Sequence, residues 1–213
     1  MTTAKIYKDY TVTIEPEEYP TNPRDCDNLG TMSCSHSRYI LGDEQIDDAI
    51  DWLQSMIDMS EESLERLAYK HKVPIYSETI LDLLYDRMDE DYIIMSLYLY
   101  DHSGITMSTT PFACGFDSGR VGFIWISLEQ VRQDYGVQRI SKKLRAKVID
   151  ILKSEVETYD MYLRGDVYRY TFTDPSGSEL DSCGGFYGDD LKTNGMSDYY
   201  EAAIDNNIEQ RSC

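Results

Sequence analysis

The chain is poor in the residue patterns on which recognisable chemistry usually rests. It has three His, and its five Cys never form a Cys-x-x-Cys pair, so the paired ligands of zinc knuckles are missing. It has no G-x-S-x-G elbow, no G-x-x-x-x-G-K-[ST] phosphate loop and no G-x-G-x-x-G fingerprint, which removes the commonest sequence signatures of hydrolases and nucleotide binders. The N-terminal MTTAKIYKDY lacks the apolar core of a secretory signal, and the later apolar runs are too short and interrupted to span a bilayer. Cytoplasmic residence with reduced cysteines is therefore expected. Cations are also scarce: 20 Lys plus Arg face 39 Asp plus Glu, a formal charge of -19. Such a balance opposes direct binding to nucleic acid or to anionic membranes and favours encounters with basic protein surfaces.

What is present suits a folded protein. The 213 residues are 41% hydrophobic and no long Pro/Gly/Ser linker divides them, so one compact unit over residues 1–213 is expected. With 18 Tyr against 5 Phe, much of the large apolar area also carries a hydroxyl that needs a polar partner.

The densest apolar stretch runs from Asp91 through YIIMSLYLY, a DHSG turn, a Thr/Ser-rich segment and the Gly-rich PFACGFDSGRVG into VGFIWIS. The order predicts two core strands joined by a hairpin and an elaborate loop. Elsewhere, alternation from Ile6 to Ile14, with Lys8 the exception, predicts one strand. The Pro-, Asn-, Asp- and Gly-rich residues 15–42 predict a long irregular connection. Asp43 is placed to cap a helix carrying Ile46, Ala49, Ile50, Leu53, Met56 and Ile57, Ser60 to cap a second, and Ser77 a third with Ile80, Leu81, Leu84 and Met88 inward. A short helix from Leu128 to Tyr135 stops at Gly136, and a long one begins at Ser141 and ends at Gly165. VYRYTFTD-PSGS-ELDSCGGFYG predicts a hairpin and DYYEAAIDNNIEQ a terminal helix, and Cys213 at the chain end takes no catalytic role. Regular βαβ repetition is absent, so the expected class is α+β, an antiparallel β-sheet covered by several α-helices.

Between Asp43 and Glu65 there are nine Asp or Glu and no Lys or Arg. Asp47, Asp48, Asp51, Asp58, Glu61, Glu62 and Glu65 form the candidate partner-binding surface, for which the bland account is a pair of solvated helix faces. Other constellations are thinner. Cys26, Cys34 and His36 suit zinc by type, but not by spacing, and no metal or other cofactor is expected. Asp101, His102 and Ser103 hold the residue types of a hydrolase triad, yet adjacent side chains do not converge without help from the fold. Asp117 and Arg120 are placed to pair across a turn. A groove around His102, Phe116 and Tyr187 is the alternative ligand-binding site. Lys142, Lys143, Arg145 and Lys147 open the long helix and suit either an internal contact with the acidic helices or a second acidic subunit, so a homo-oligomer stays open.

DCDNLGTMSCSHSRYILGD, the DYIIMSLYLYDHSG-to-FIWIS stretch, VRQDYGVQRISKKL, KSEVETYDMYLRGDVYRY and DSCGGFYG together resemble a family of acidic proteins carried by bacteriophages and mobile elements. The resemblance covers most of residues 25–188. It implies a non-enzymatic inhibitor of host defence, anti-restriction or anti-CRISPR, whose acidity mimics nucleic acid towards a basic nucleic-acid-binding protein in the bacterial cytoplasm. The alternatives are a small-ligand or peptide-binding module and, less favoured by the residues, a hydrolase.

Overall fold

The computed structural model describes residues 3–7 and 9–210; Lys8 and Cys213 lie outside them. In chain order the elements are β1 (Thr3–Tyr7), β2 (Tyr10–Pro16), a 3-10 turn (Pro23–Asp25), β3 (Thr31–Cys34), β4 (Glu44–Gln45), α1 (Ala49–Met56), α2 (Glu61–His71) and α3 (Glu78–Met88). They continue with β5 (Tyr92–Asp101), β6 (Ile105–Ser108), β7 (Ser118–Ser127), α4 (Leu128–Asp134), α5 (Lys142–Arg164), β8 (Val167–Thr173), β9 (Glu179–Tyr187) and α6 (Met196–Gln210). The class is α+β. The strands form two sheets, ordered β1-β2-β8-β9 and β4-β3-β7-β5-β6, the second holding a parallel β3–β4 pair beside its antiparallel ones.

Backbone contacts divide the chain into two compact units. A terminal unit takes the chain up to Cys26, Gly104–Thr106 and everything from Glu157, and a central unit takes Asp27–Ser103 and Met107–Val156.

In the terminal unit the strand expected over Ile6 to Ile14 is instead a hairpin. Tyr7 pairs with Tyr10, and Asp9 takes φ 73°, a left-handed conformation that Asp tolerates better than most side chains. β2 then pairs with β8 from Thr11–Thr173 to Pro16–Tyr168, and β8 with β9 in the expected C-terminal hairpin. Val12, Ile14, Tyr170, Phe172 and Phe186 are buried against Met196, Tyr200, Ala203 and Ile204 of α6.

In the central unit β5 and β7, the two core strands expected of this stretch, pair antiparallel from Tyr92–Ser127 to Tyr100–Ser118 with a bulge at Leu97/Tyr98. Phe123 and Ile94 belong to the core made with Ile50 and Leu53 of α1, Leu64 and Ala68 of α2, and Ile80, Leu81, Leu84 and Met88 of α3. Ile124 points to the opposite face. There, a Cβ on Gly30 would run into Leu152 of α5 and Ile124. The stretch read as an irregular connection over 15–42 contributes β3, whose Met32 and Cys34 are fully buried. Asp43 does not cap α1: its carboxylate accepts the Met32 N–H at 2.7 Å, and β4 intervenes before the helix. Ile46 accordingly lies outside α1. Ser60, Ser77, Ser127 and Ser141 cap α2, α3, α4 and α5 by accepting the N–H of Ser63, Ile80, Gln130 and Leu144.

Candidate functional site

The acidic surface is built on α1, α2 and the link that follows them, all in the central unit. Asp48 is the real cap of α1, accepting N–H groups from Ile50 at 2.7 Å and Asp51 at 3.2 Å. Asp58 takes φ 49° after α1, and Ser60 restarts the helix with Glu61 and Glu62 in its first turn, where carboxylates meet the positive end of the helix dipole. Glu61, Glu65 and Tyr69 recur every four residues along one stripe of α2, and all three are exposed. Asp47, Asp51, Asp58 and Glu62 are also exposed, and Glu62 makes an ion pair with Arg66 one turn on.

Beside Asp51 in this field stands Tyr76, a residue that no motif or spacing in the sequence singles out. Its side chain is 65% exposed, and its hydroxyl donates to Asp51 at 3.2 Å. The hydrogen bond to Asp51, then the charges of Asp51, Asp48 and Glu61, push its phenol above the usual range. Asp51 thus holds one exposed ring by its hydroxyl, and Asp48 and Glu61 lie near enough for their charges to act on it. A second exposed ring, Tyr69, belongs to the same helix as Glu61. Carboxylate spacing in the sequence reveals the acidic field, but the ring enters it only through the fold, because Tyr76 lies beyond Pro74 in the link before α3.

A cavity of about 430 Å³ lies beside β5 and β7, lined among others by His36, Arg38, Asp101, Phe116, Asp117 and Arg120. Phe116 is fully exposed. Asp117 does not pair with Arg120; it meets His102 Nδ1 at 3.2 Å, while Arg120 reaches Asp82 at 3.3 Å and Glu78 at 3.9 Å on α3. The turn points Asp117 back to the β5 end, whereas Arg120, already within β7 opposite Tyr98, projects toward the helices. Burial opposes the Arg120 charge, but Tyr98 and the two carboxylates outweigh it and hold the guanidinium above its ordinary range. Its Nε and Nη1 are buried with no hydrogen-bond partner of good geometry among the described residues.

The triad types diverge. Ser103 donates to the His102 carbonyl at 2.6 Å rather than to its ring, and Asp101 receives Arg38 and the Tyr39 hydroxyl. Tyr187 lies in the terminal unit, where its hydroxyl donates to the Thr21 carbonyl at 2.7 Å and burial pushes its phenol up. His102 and Phe116 lie in the central unit. Of the zinc candidates, Cys26 is exposed in the terminal unit and Cys34 is buried in β3. His36 accepts the N–H groups of Arg38 and Tyr39 on Nδ1 and stacks on Tyr39. Among the described residues no three His, Cys, Asp or Glu are grouped to hold a metal ion, and no helix is long and apolar enough to cross a membrane.

Comparison with protein-family models, with curated proteins and with solved structures finds no match to this chain.

Proposed function

We propose that the chain is a stoichiometric binding protein whose α1–α2 face occupies the nucleic-acid cleft of a basic partner. The observation that carries this reading is the exposed Tyr76 ring hydrogen-bonded to Asp51 within the acidic α1–α2 field. Exposed ion pairs contribute only about 0–1 kcal/mol each, so a carboxylate field alone gives weak, salt-sensitive attachment. An aromatic anchor inside the field supplies the apolar contact that concentrates binding energy at real interfaces. Asp47, Asp58, Glu62 and Glu65 extend the field, with Tyr69 as a second anchor. The resemblance to phage-carried acidic proteins narrows the partner to a host-defence protein that binds DNA or RNA, acting in the bacterial cytoplasm.

The test is affinity capture from a bacterial host, followed by competition with duplex DNA. The expected result is a basic nucleic-acid-binding protein that DNA displaces and that the variant Asp51→Lys, Glu61→Lys, Glu65→Lys fails to retain. Tyr76→Ala is expected to weaken the purified pair by about 2 kcal/mol, roughly 30-fold. Undiminished capture by the charge-reversed variant, or indifference to DNA, overturns the assignment.

A second reading has its own support. The 430 Å³ cavity combines a fully exposed Phe116 with the basic or ring side chains of His36, Arg38 and Arg120, which favours a small or peptide ligand carrying a planar apolar group and a carboxylate. Phe116→Ala is expected to abolish such binding while leaving capture through Tyr76 intact.

A further inference from the structure

At the junction of α4 and α5 the charge of the molecule reverses. A cleft of about 260 Å³ is lined by Leu128, Arg132, Gln138, Arg139, Ile140, Ser141, Lys142 and Arg145. Four of these eight residues are cations and none is a carboxylate, in a chain whose formal charge is -19. Arg145 is fixed from behind by an ion pair to Asp89 and by a 3.2 Å hydrogen bond to the Tyr92 carbonyl. Arg132, Arg139 and Lys142 are exposed and make no ion pair with any described residue. We propose that this cleft binds a small phosphate-bearing anion, either free phosphate or the monoester end of a compact metabolite.

Three physical points converge on that class of ligand. First, Arg145 is paired with Asp89, but Arg132, Arg139 and Lys142 share the concavity with no acidic partner among the described residues, in a chain with almost twice as many acids as bases. An anion from solution is the partner that would complete these three. Secondly, two Lys and no acid occupy the first turn of α5, where the helix dipole already favours negative charge. That placement destabilises the helix in isolation and adds to the attraction for an anion in the cleft. Thirdly, the donors are of two kinds. Planar guanidinium forks match phosphate oxygens in pairs, while the Lys142 ammonium is a compact point charge. The cavity is slightly smaller than the roughly 300 Å³ at which drug-sized pockets begin, which suits a phosphate group with little attached to it. A long polyanion such as duplex DNA would be repelled by the surrounding acidity. The cleft uses none of the residues assigned to the acidic face, so either assignment can fail alone.

The test is isothermal titration calorimetry of the full chain with inorganic phosphate and, separately, glycerol 3-phosphate, with amide NMR spectra recorded alongside. Saturable binding of either ligand is expected, with shifts concentrated at Gln138–Leu144; binding of phosphate alone marks a closed ion site, and binding of both marks a monoester site. Arg132→Gln with Arg139→Gln is expected to weaken binding at least about tenfold, and Lys70→Gln with Lys72→Gln on the α2 side to leave it unchanged. Should the double variant fail to fold by circular dichroism, Lys142→Gln alone is expected to give a loss of about threefold. Shifts reproduced by NaCl at the same ionic strength, binding unaffected by these substitutions, or tighter binding of duplex DNA than of phosphate each overturn the proposal.

Discussion

The Tyr170 hydroxyl donates to Asp181 at 2.6 Å while its ring packs between Phe186 and Tyr200. Burial first, then the bond and the charge of Asp181, push its phenol far above the usual range. Tyr85 is raised by burial too, and it donates to the Ile94 carbonyl at 3.1 Å. Both groups hold their proton more tightly in the folded chain than the unfolded reference near 10. Their contribution is therefore whole below about pH 10 and is lost as pH rises through the folded-state range. Stability measured by urea titration is expected to fall steeply above about pH 10. Tyr170→Phe is expected to be about 1 kcal/mol less stable at neutral pH, where the bond is lost, and to show a shallower alkaline fall. An unchanged alkaline slope would show that other groups govern it.

Caps and strand pairings mark where local sequence stops being informative. Asp43 and Asp48 both precede an apolar periodic run, and the choice between them is made at a distance, by the Met32 N–H that claims Asp43. Asp48→Ala is expected to cost about 1 kcal/mol and Asp48→Asn only a few tenths, by thermal unfolding. By contrast α2, α3 and α5 were legible because each begins with a Ser whose hydroxyl needs only an amide three residues on, whereas α4 was legible from its stop at Gly136 and its Ser127 cap was not. β5 and β7 were legible from composition, but β3 was hidden: four residues, TMSC, carry no alternation, and their place in the sheet depends on Gly122. A Cβ at Gly122 would overlap the Ser33 carbonyl oxygen and press on Cys34 Cα at 2.8 Å. Gly122→Ala is accordingly expected to cost more than about 2 kcal/mol, with loss of amide protection in β3 before β5.

Over the whole chain, 39 acids against 20 bases oppose compaction, and salt screens that repulsion. Raising NaCl from about 0.02 to 0.5 M is expected to increase the melting temperature; a decrease would mean that attractive pairs dominate. The acidic field was legible because its members are neighbours in sequence. Tyr76 was not, since only the packing of the link beside α1 brings its ring to Asp51, and the α4–α5 cleft was half-visible, because Arg132 and Arg139 lie outside the basic run that opens α5. The division of strands between two sheets was likewise invisible, because β2 finds β8 only across the intervening central unit. That pairing has a consequence for synthesis. β2 ends at Pro16 and β8 begins at Val167, so at about 5–20 residues per second roughly 8 to 30 s pass before the partner strand is made. During that interval Asp27–Ser103 and Met107–Val156 can already be forming their own core, while the hairpin carrying Val12 and Ile14 waits with an open edge. The nascent chain is most exposed to misassociation in that interval, and a chaperone that shields a β-edge would act on the first sixteen residues rather than on the last.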